Sequence, residues 1–142
     1  MVQVLIFDDN PDQLHLLRRN IEGEGRELLA AGSVPEAVEL LKRHSPGLVV
    51  ADIRFSREGQ LEKGAGLELL ELAKVKDNAI QVILVTNYAS PEISRKAMEQ
   101  GAFDILDRTP TGLDFWAMLR AKVKLALHYR ELLLRDRDRE AK

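Results

Sequence analysis

Asp8, Asp9, Asp52, Thr86 and Arg108 are the residues whose types and positions suit chemistry. Each stands at the end of a short apolar run: VQVLIF leads into Asp8-Asp9, GLVVA into Asp52, QVILV into Thr86, and FDIL into Asp107-Arg108. Laid side by side as strands, these runs bring three carboxylates, one hydroxyl and one cation to a single cleft. Three carboxylates held together repel one another. A hard divalent cation removes that conflict, and two carboxylates plus waters make a typical Mg²⁺ site. An oxygen of Asp52 can then attack phosphorus, since aspartyl-phosphate formation is an established covalent chemistry. Phosphoryl transfer asks mainly for in-line positioning and neutralised equatorial oxygens. The metal, the Thr86 hydroxyl and the Arg108 guanidinium suit that neutralisation. Taken singly, a strand-end aspartate is a common helix cap, Thr86 a β-branched strand residue and Arg108 a surface cation. Their order at successive strand ends favours the chemical reading.

Those residues need a scaffold, and the pattern supplies one. Short apolar runs alternate with helix-period segments five times. The strands read as 2–7, 27–31, 47–53, 81–85 and 103–106. A first helix starts at Pro11, a residue suited to the first helical position after a side-chain cap. It runs to about Glu22, with Leu14, Leu17 and Ile21 on one face. Ser33-Val34-Pro35-Glu36 has the form of a capping box opening a second helix. A third helix is expected over 66–75. Ser90-Pro91-Glu92 opens a fourth that Gly101 ends, and a last helix starts near Leu113. Strands without polar alternation are buried on both faces, which means a parallel sheet between helical layers. Five βα units with right-handed crossovers make a doubly wound α/β domain. In such a sheet the binding crevice lies at the carboxyl ends of the strands.

The bulk properties set outer bounds. At 142 residues the chain holds one domain with a real core. No run approaches the roughly 18 to 20 apolar residues of a membrane span, and MVQVLIFDD lacks the form of an export signal. The absence of cysteine excludes a disulfide framework and a thiolate metal site, which fits a cytoplasmic location. A net charge of −2 argues against a general nucleic-acid binder. The charge is uneven: 113–142 carries eight Lys/Arg against five Asp/Glu, whereas the acidic excess lies in the body.

The stretches LIFDDNPDQLHLL, GLVVADI, GLELLELAK, VILVTNYAS and GAFDILDRTP resemble, in that order, the receiver domains of two-component response regulators. The resemblance covers about residues 2–127. It implies a flavodoxin-like fold with five parallel strands in the order 2-1-3-4-5. It implies that Asp52 is the phosphoacceptor, that Asp9 and Asp52 ligate Mg²⁺ directly, that Asp8 does so through water, and that the Arg54 backbone carbonyl is a further ligand. The implied donor is a phosphohistidine on a sensor histidine kinase or phosphotransfer protein, with small phosphodonors as substitutes. The domain so described promotes its own phosphorylation and dephosphorylation and is not a turnover enzyme.

Several positions depart from the family pattern. Arg108 stands where the family usually has lysine, and the two are not interchangeable. Thr109 separates it from Pro110, and Asn87 stands where a small residue is usual. Ile105 occupies the position of an aromatic switch residue. The loop after Asp52 is longer than usual, and reads either as a gate or partner contact or as a tolerated surface insertion. Arg54 and Tyr88, two residues after Asp52 and Thr86, stand where the family tunes attack by water on the acyl phosphate, and their bulk is expected to slow hydrolysis.

Two other functions compete with the phosphorylation switch. One is a degenerate receiver acting as a phosphorylation-independent interaction module. The other is a Mg²⁺-dependent phosphohydrolase, which would need an acidic residue where Arg54 stands.

The last helix, if it runs to about Arg139, is roughly 40 Å long, more than one domain covers. Leu119, Val123, Ala126, Arg130 and Leu133 follow a four-three spacing. Residues 1–127 therefore read as the domain and 128–142 as a helical extension or linker, with homodimer pairing through this helix as a further expectation. RDRDRE at its end reads as solvated. His15, His44 and His128 have no partner at metal spacing, and Trp116 reads as a packing residue.

Overall fold

The computed structural model describes residues 1–53, 66–87, 90–108 and 114–141. These residues alternate strand and helix: β1 (Val2–Phe7), α1 (Pro11–Ile21), β2 (Arg26–Ala31), α2 (Val34–Arg43), β3 (Leu48–Asp52), α3 (Gly66–Lys76), β4 (Gln81–Thr86), α4 (Pro91–Glu99), β5 (Asp104–Asp107) and α5 (Phe115–Ala141). All strand pairs are parallel, in the order β2-β1-β3-β4-β5. This is the doubly wound, flavodoxin-like arrangement expected from the sequence.

The strand sequences explain why the sheet is covered on both sides. Along β1, β3 and β4 apolar residues point alternately to opposite faces. Leu5, Phe7, Val49, Ala51, Val82 and Leu84 pack with Ala37, Leu41, Leu69, Leu70, Ala73, Ile93 and Ala97 of α2, α3 and α4. Val4, Ile6, Leu48, Val50, Ile83 and Val85 pack with Leu17 and Ile21 of α1 and with Leu119, Val123 and Ala126 of α5. Trp116 adds to this second layer, in its expected packing role. Fully burying an aliphatic side chain of this kind contributes about 1.5–3 kcal/mol, so the central strands are the most costly part of the molecule to alter.

Local signals set the helix starts. Asn10 accepts from the amides of Asp12 and Gln13 at 3.0 and 3.1 Å, with Pro11 at the first helical position. Ser33 accepts from the Glu36 amide at 3.2 Å, and the Glu36 carboxylate accepts from the Gly32 amide. The return half of that box thus lands one residue before the cap. Ser90 caps α4, and Gly101, at φ +96°, follows its end. Asp114 caps α5 by accepting from the Ala117 amide at 3.1 Å. The expected start near Leu113 lies outside the described residues.

β5 is shifted by one residue from the sequence reading, starting at Asp104 rather than Phe103 and ending at Asp107 rather than Leu106. The Phe103 ring packs instead toward α5, its centroid 6.1 Å from that of Tyr129.

The 27 residues of α5 form one continuous helix, roughly 40 Å long. Contacts with the body continue along it. Gly47 lies so close to Arg130 that an added Cβ would meet its Nε at 2.8 Å. Arg137 donates to Asp77 at 2.6 Å and also to Asn78. The RDRDRE segment is therefore solvent-exposed but not merely solvated.

The hydrogen bond from Arg137, helped by the Ala79 amide, holds the Asp77 carboxyl below its ordinary value. A lowered folded-state pKa means that this clasp contributes fully above about pH 3.9, the ordinary value of an aspartate. The contribution is lost as pH falls through the lowered value. Both side chains are largely solvated, so the effect is small and local. Hydrogen exchange in residues 133–141 is expected to be unchanged between pH 7 and 5 after correction for intrinsic rates, and to accelerate below about pH 4. Asp77→Asn should abolish that acid step; its persistence would exclude the clasp.

Candidate functional site

Strand register builds the site. Phe7 pairs with Ala51, so Asp8, the next residue, comes level with Asp52. Asp52 pairs with Val85, setting Thr86 one step beyond it. Thr86 pairs with Asp107, and the Arg108 amide donates to the Thr86 carbonyl at 2.9 Å. The carboxyl ends of β1, β3, β4 and β5 thus meet at one edge, as a parallel sheet requires of a ligand crevice.

The side chains converge as well. Asp8, Asp9 and Asp52 each present a carboxylate oxygen, and these oxygens lie within 4.8 Å of one another. Asp8 and Asp52 are buried at 2% and 7% exposure, Thr86 is fully buried, and Asp9 is the most open of the three carboxylates. One oxygen of Asp8 accepts from the Asn10 amide at 2.9 Å. The other accepts from Nη2 of Arg108 at 3.1 Å, in an ion pair with side-chain exposures of 12% for Arg108 and 2% for Asp8. The guanidinium also lies over the Phe115 ring, 5.7 Å from its centroid.

Gly66, at the start of α3, forms part of the frame. A Cβ there would stand 3.0 Å from the Asp52 carbonyl and 3.1 Å from Ile53. Backbone approach this close suits glycine and leaves Asp52 little room to shift.

Of the residues singled out by sequence, Asp8, Asp9 and Asp52 form one cluster, Arg108 joins it through Asp8, and Thr86 ends the neighbouring strand. The Arg54 carbonyl, Tyr88, Thr109, Pro110 and the long loop over 54–65 lie outside the described residues. Sequence reasoning missed two features: the pairing of Arg108 with Asp8, and Phe115. The pairing joins residues 100 positions apart, so local spacing carries no trace of it. Phe115 had only its aromatic type at the head of a helix to mark it. The histidines stay structural in character, His44 Nδ1 standing 3.2 Å from Gln3 and His15 and His128 being exposed.

The donor set is all hard oxygen, small in span and mostly shielded from water. It fits a small divalent cation such as Mg²⁺, which takes one or two carboxylates and completes its shell with water.

The response regulator receiver domain model matches residues 4–119, and the chain belongs to that family. Among its relatives is the C4-dicarboxylate transport transcriptional regulatory protein DctD of Pseudomonas aeruginosa, 30% identical over 135 residues, covering 95% of this chain and 27% of that protein. The response regulator protein PilR of the same species is 33% identical over 128 residues, covering 90% of this chain and 26% of its own length. The chain thus spans about a quarter of these two proteins. A solved CheY-like receiver domain protein from Methanospirillum hungatei superposes with a TM-score of 0.75 at 29% identity, over 92% of this chain and 97% of that one. A receiver domain from Clostridium thermocellum superposes at 0.77 over 94% and 99%, and at 24% identity its likeness speaks to the fold. The protein is a response-regulator receiver domain of two-component signalling. Among the described residues no helix is long and apolar enough to cross a membrane.

Proposed function

We propose that this domain takes a phosphoryl group from a phosphohistidine onto Asp52, with Mg²⁺, and thereby changes its partner interactions. The observation that carries this reading is the meeting of the Asp8, Asp9 and Asp52 oxygens within 4.8 Å at the carboxyl edge of the sheet. Asp9 and Asp52 would hold the cation directly, Asp8 through water, and the Arg54 carbonyl would complete the protein ligands. A cation bound there supplies neutralisation of the transferring oxygens and cancels repulsion among the carboxylates.

The chain's own residues do the rest. A carboxylate oxygen of Asp52 forms the new P–O bond while the P–N bond to the donor imidazole breaks. The imidazole leaves with the electron pair of that bond and takes up a proton. Burial of Asp52 beside β1 and β4 limits the directions from which phosphorus can approach and keeps most water out. Thr86 donates its hydroxyl to one phosphoryl oxygen and Arg108 its guanidinium to another. Their inward movement alters the faces of α4, β5 and α5 and shifts an existing inactive-to-active equilibrium. The domain promotes its own phosphorylation and dephosphorylation and does not turn over a substrate. It works in the cytoplasm with a sensor histidine kinase or phosphotransfer protein and contacts no nucleic acid itself. Incubation with acetyl phosphate is expected to give an acyl phosphate only when Mg²⁺ is present. Absence of uptake under those conditions would favour the degenerate-receiver alternative.

Residues 128–142 act in this reading as an extension joining the domain to a partner or to a second copy. Met118, Leu125, Tyr129 and Leu132 are exposed on α5 at spacings of seven, four and three, the pattern of a helix-pairing seam. A dimer weakened at least tenfold by Leu125→Glu in sedimentation equilibrium is expected, about 1.4 kcal/mol or more. A wild-type chain monomeric at all concentrations would exclude pairing.

A further inference from the structure

The Arg108–Asp8 pair lacks the features of a settled structural bridge. A guanidinium in a stable pair presents two parallel N–H groups to a carboxylate. Here a single Nη2 contact reaches Asp8, and Nε of Arg108 is buried with no hydrogen-bond partner. The pair is nonetheless almost dry, so a carboxylate of 2% exposure is being neutralised by whichever cation is at hand. The Asp8 oxygen used by Arg108 is the one not engaged by the Asn10 amide. It is therefore the oxygen open to a hydrated divalent ion in the same pocket. Two cations cannot share it without strong repulsion at low local dielectric.

What holds the other side of the guanidinium is aromatic. Arg108 lies over the ring of Phe115, the first residue of α5. That ring meets Trp116 edge-on, with centroids 5.0 Å apart and planes at 76°. A cation over an aromatic face is attracted by the ring quadrupole, so displacement of the guanidinium removes a force that orients Phe115. Phe115 cannot reorient without disturbing its edge contact with Trp116. The aromatic switch position of β5 is filled by the aliphatic Ile105, which packs with the α2–α4 layer. Among the described residues, a contact path from the acidic pocket to the head of the long helix runs through Arg108.

We propose that Arg108 is a built-in counter-cation which leaves Asp8 when a divalent cation enters, and that its departure is relayed through Phe115 to Trp116 at the head of α5. This rests on the Mg²⁺ reading of the pocket and adds to it the competitor and the route of the signal. Phe115 is a positioning residue: it acts on the site through Arg108 and touches no phosphoryl group.

Trp116 is the only tryptophan in the chain, so intrinsic emission reports on this position alone. The test is a Mg²⁺ titration of the full chain, followed in parallel by Trp116 emission and by calorimetry. The wild type is expected to bind Mg²⁺ with a saturable emission change at the same midpoint. Phe115→Leu is expected to bind Mg²⁺ at least as tightly and to lose most of the emission change, whereas Phe115→Tyr, which keeps the ring, restores it. Arg108→Ala is expected to bind Mg²⁺ about tenfold more tightly, the scale of one charged hydrogen bond released, with no emission change. Mg²⁺ binding by the wild type without an emission change would overturn the relay alone, as would a full response in Phe115→Leu. An Arg108→Ala affinity equal to the wild type would overturn the competition. No Mg²⁺ binding by the wild type in calorimetry would overturn the reading of the pocket together with the relay. Far-ultraviolet circular dichroism establishes folding, and Phe115→Met, which also removes the ring, carries the test if Phe115→Leu does not fold: a full emission response there would overturn the relay.

Discussion

An Asp52→Asn chain is expected to take up no phosphate from acetyl phosphate at any Mg²⁺ concentration. The amide oxygen is a poor nucleophile toward phosphorus and carries no charge for a metal to balance. Asp8 and Asp9 do not substitute for it. Asp8 is buried and already engaged by Asn10 and Arg108, and in this reading both serve the cation. The same substitution has a second consequence. Removing one of three carboxylates whose oxygens lie within 4.8 Å relieves repulsion. Without divalent cations the variant is expected to be the more stable protein, by about 1 kcal/mol. Added Mg²⁺ should then raise its unfolding midpoint far less than that of the wild type, because stabilisation by a ligand follows its affinity. Uptake in the variant equal to that of the wild type would move the phosphoacceptor away from β3.

Arg108→Ala is expected to cost about 3 kcal/mol of stability in metal-free buffer, the scale of a buried pair broken on one side. For a domain of this size that corresponds to a fall of roughly 10 °C in Tm. The reason is the partner left behind: Asp8 is 2% exposed and, among the described residues, keeps the Asn10 amide as its donor. Two controls separate this from a simple packing loss. Mg²⁺ should restore much of the lost stability in Arg108→Ala, since an external cation takes the place of the internal one. The double variant Asp8→Asn, Arg108→Met should be nearly as stable as the wild type, because replacing both partners removes the uncompensated charge. Equal loss in the single and double variants, with no Mg²⁺ effect, would reduce Arg108 to a packing residue.

How much of this was legible in the sequence depends on the range of the interaction. The strands of the buried sheet were legible because β1, β3 and β4 carry apolar side chains on both faces, a pattern compatible with helical cover on each side. The starts of α1, α2 and α4 were legible because Asn10, Ser33 and Ser90 act within three residues of themselves. The three carboxylates were legible because the strand ends of a parallel sheet share one edge. β5 is displaced by one residue: the Phe103 amide still donates to the Val82 carbonyl at 2.7 Å, while its ring packs toward Tyr129. The clasp of Arg137 on Asp77 was invisible in a run of alternating charges that gives no sign of one arginine having a fixed partner 60 residues away. The Arg108–Asp8 pair escaped for the same reason. The type of residue 108 pointed to a cation at the cleft, but its partner follows from register across three strand pairings. Fold-level signals are periodic and local, whereas the site's wiring is not.

The proposition beneath all of this is that one divalent cation binds at the meeting point of residues 8, 9 and 52. Equilibrium dialysis against Mg²⁺, comparing the wild type with Asp9→Asn, addresses it without reference to any kinase or output. One ion per wild-type chain is expected, with affinity at least tenfold lower in the variant, since the loss of a direct carboxylate ligand removes more than about 1.4 kcal/mol. An unchanged affinity in Asp9→Asn, or no bound ion in the wild type, would contradict it.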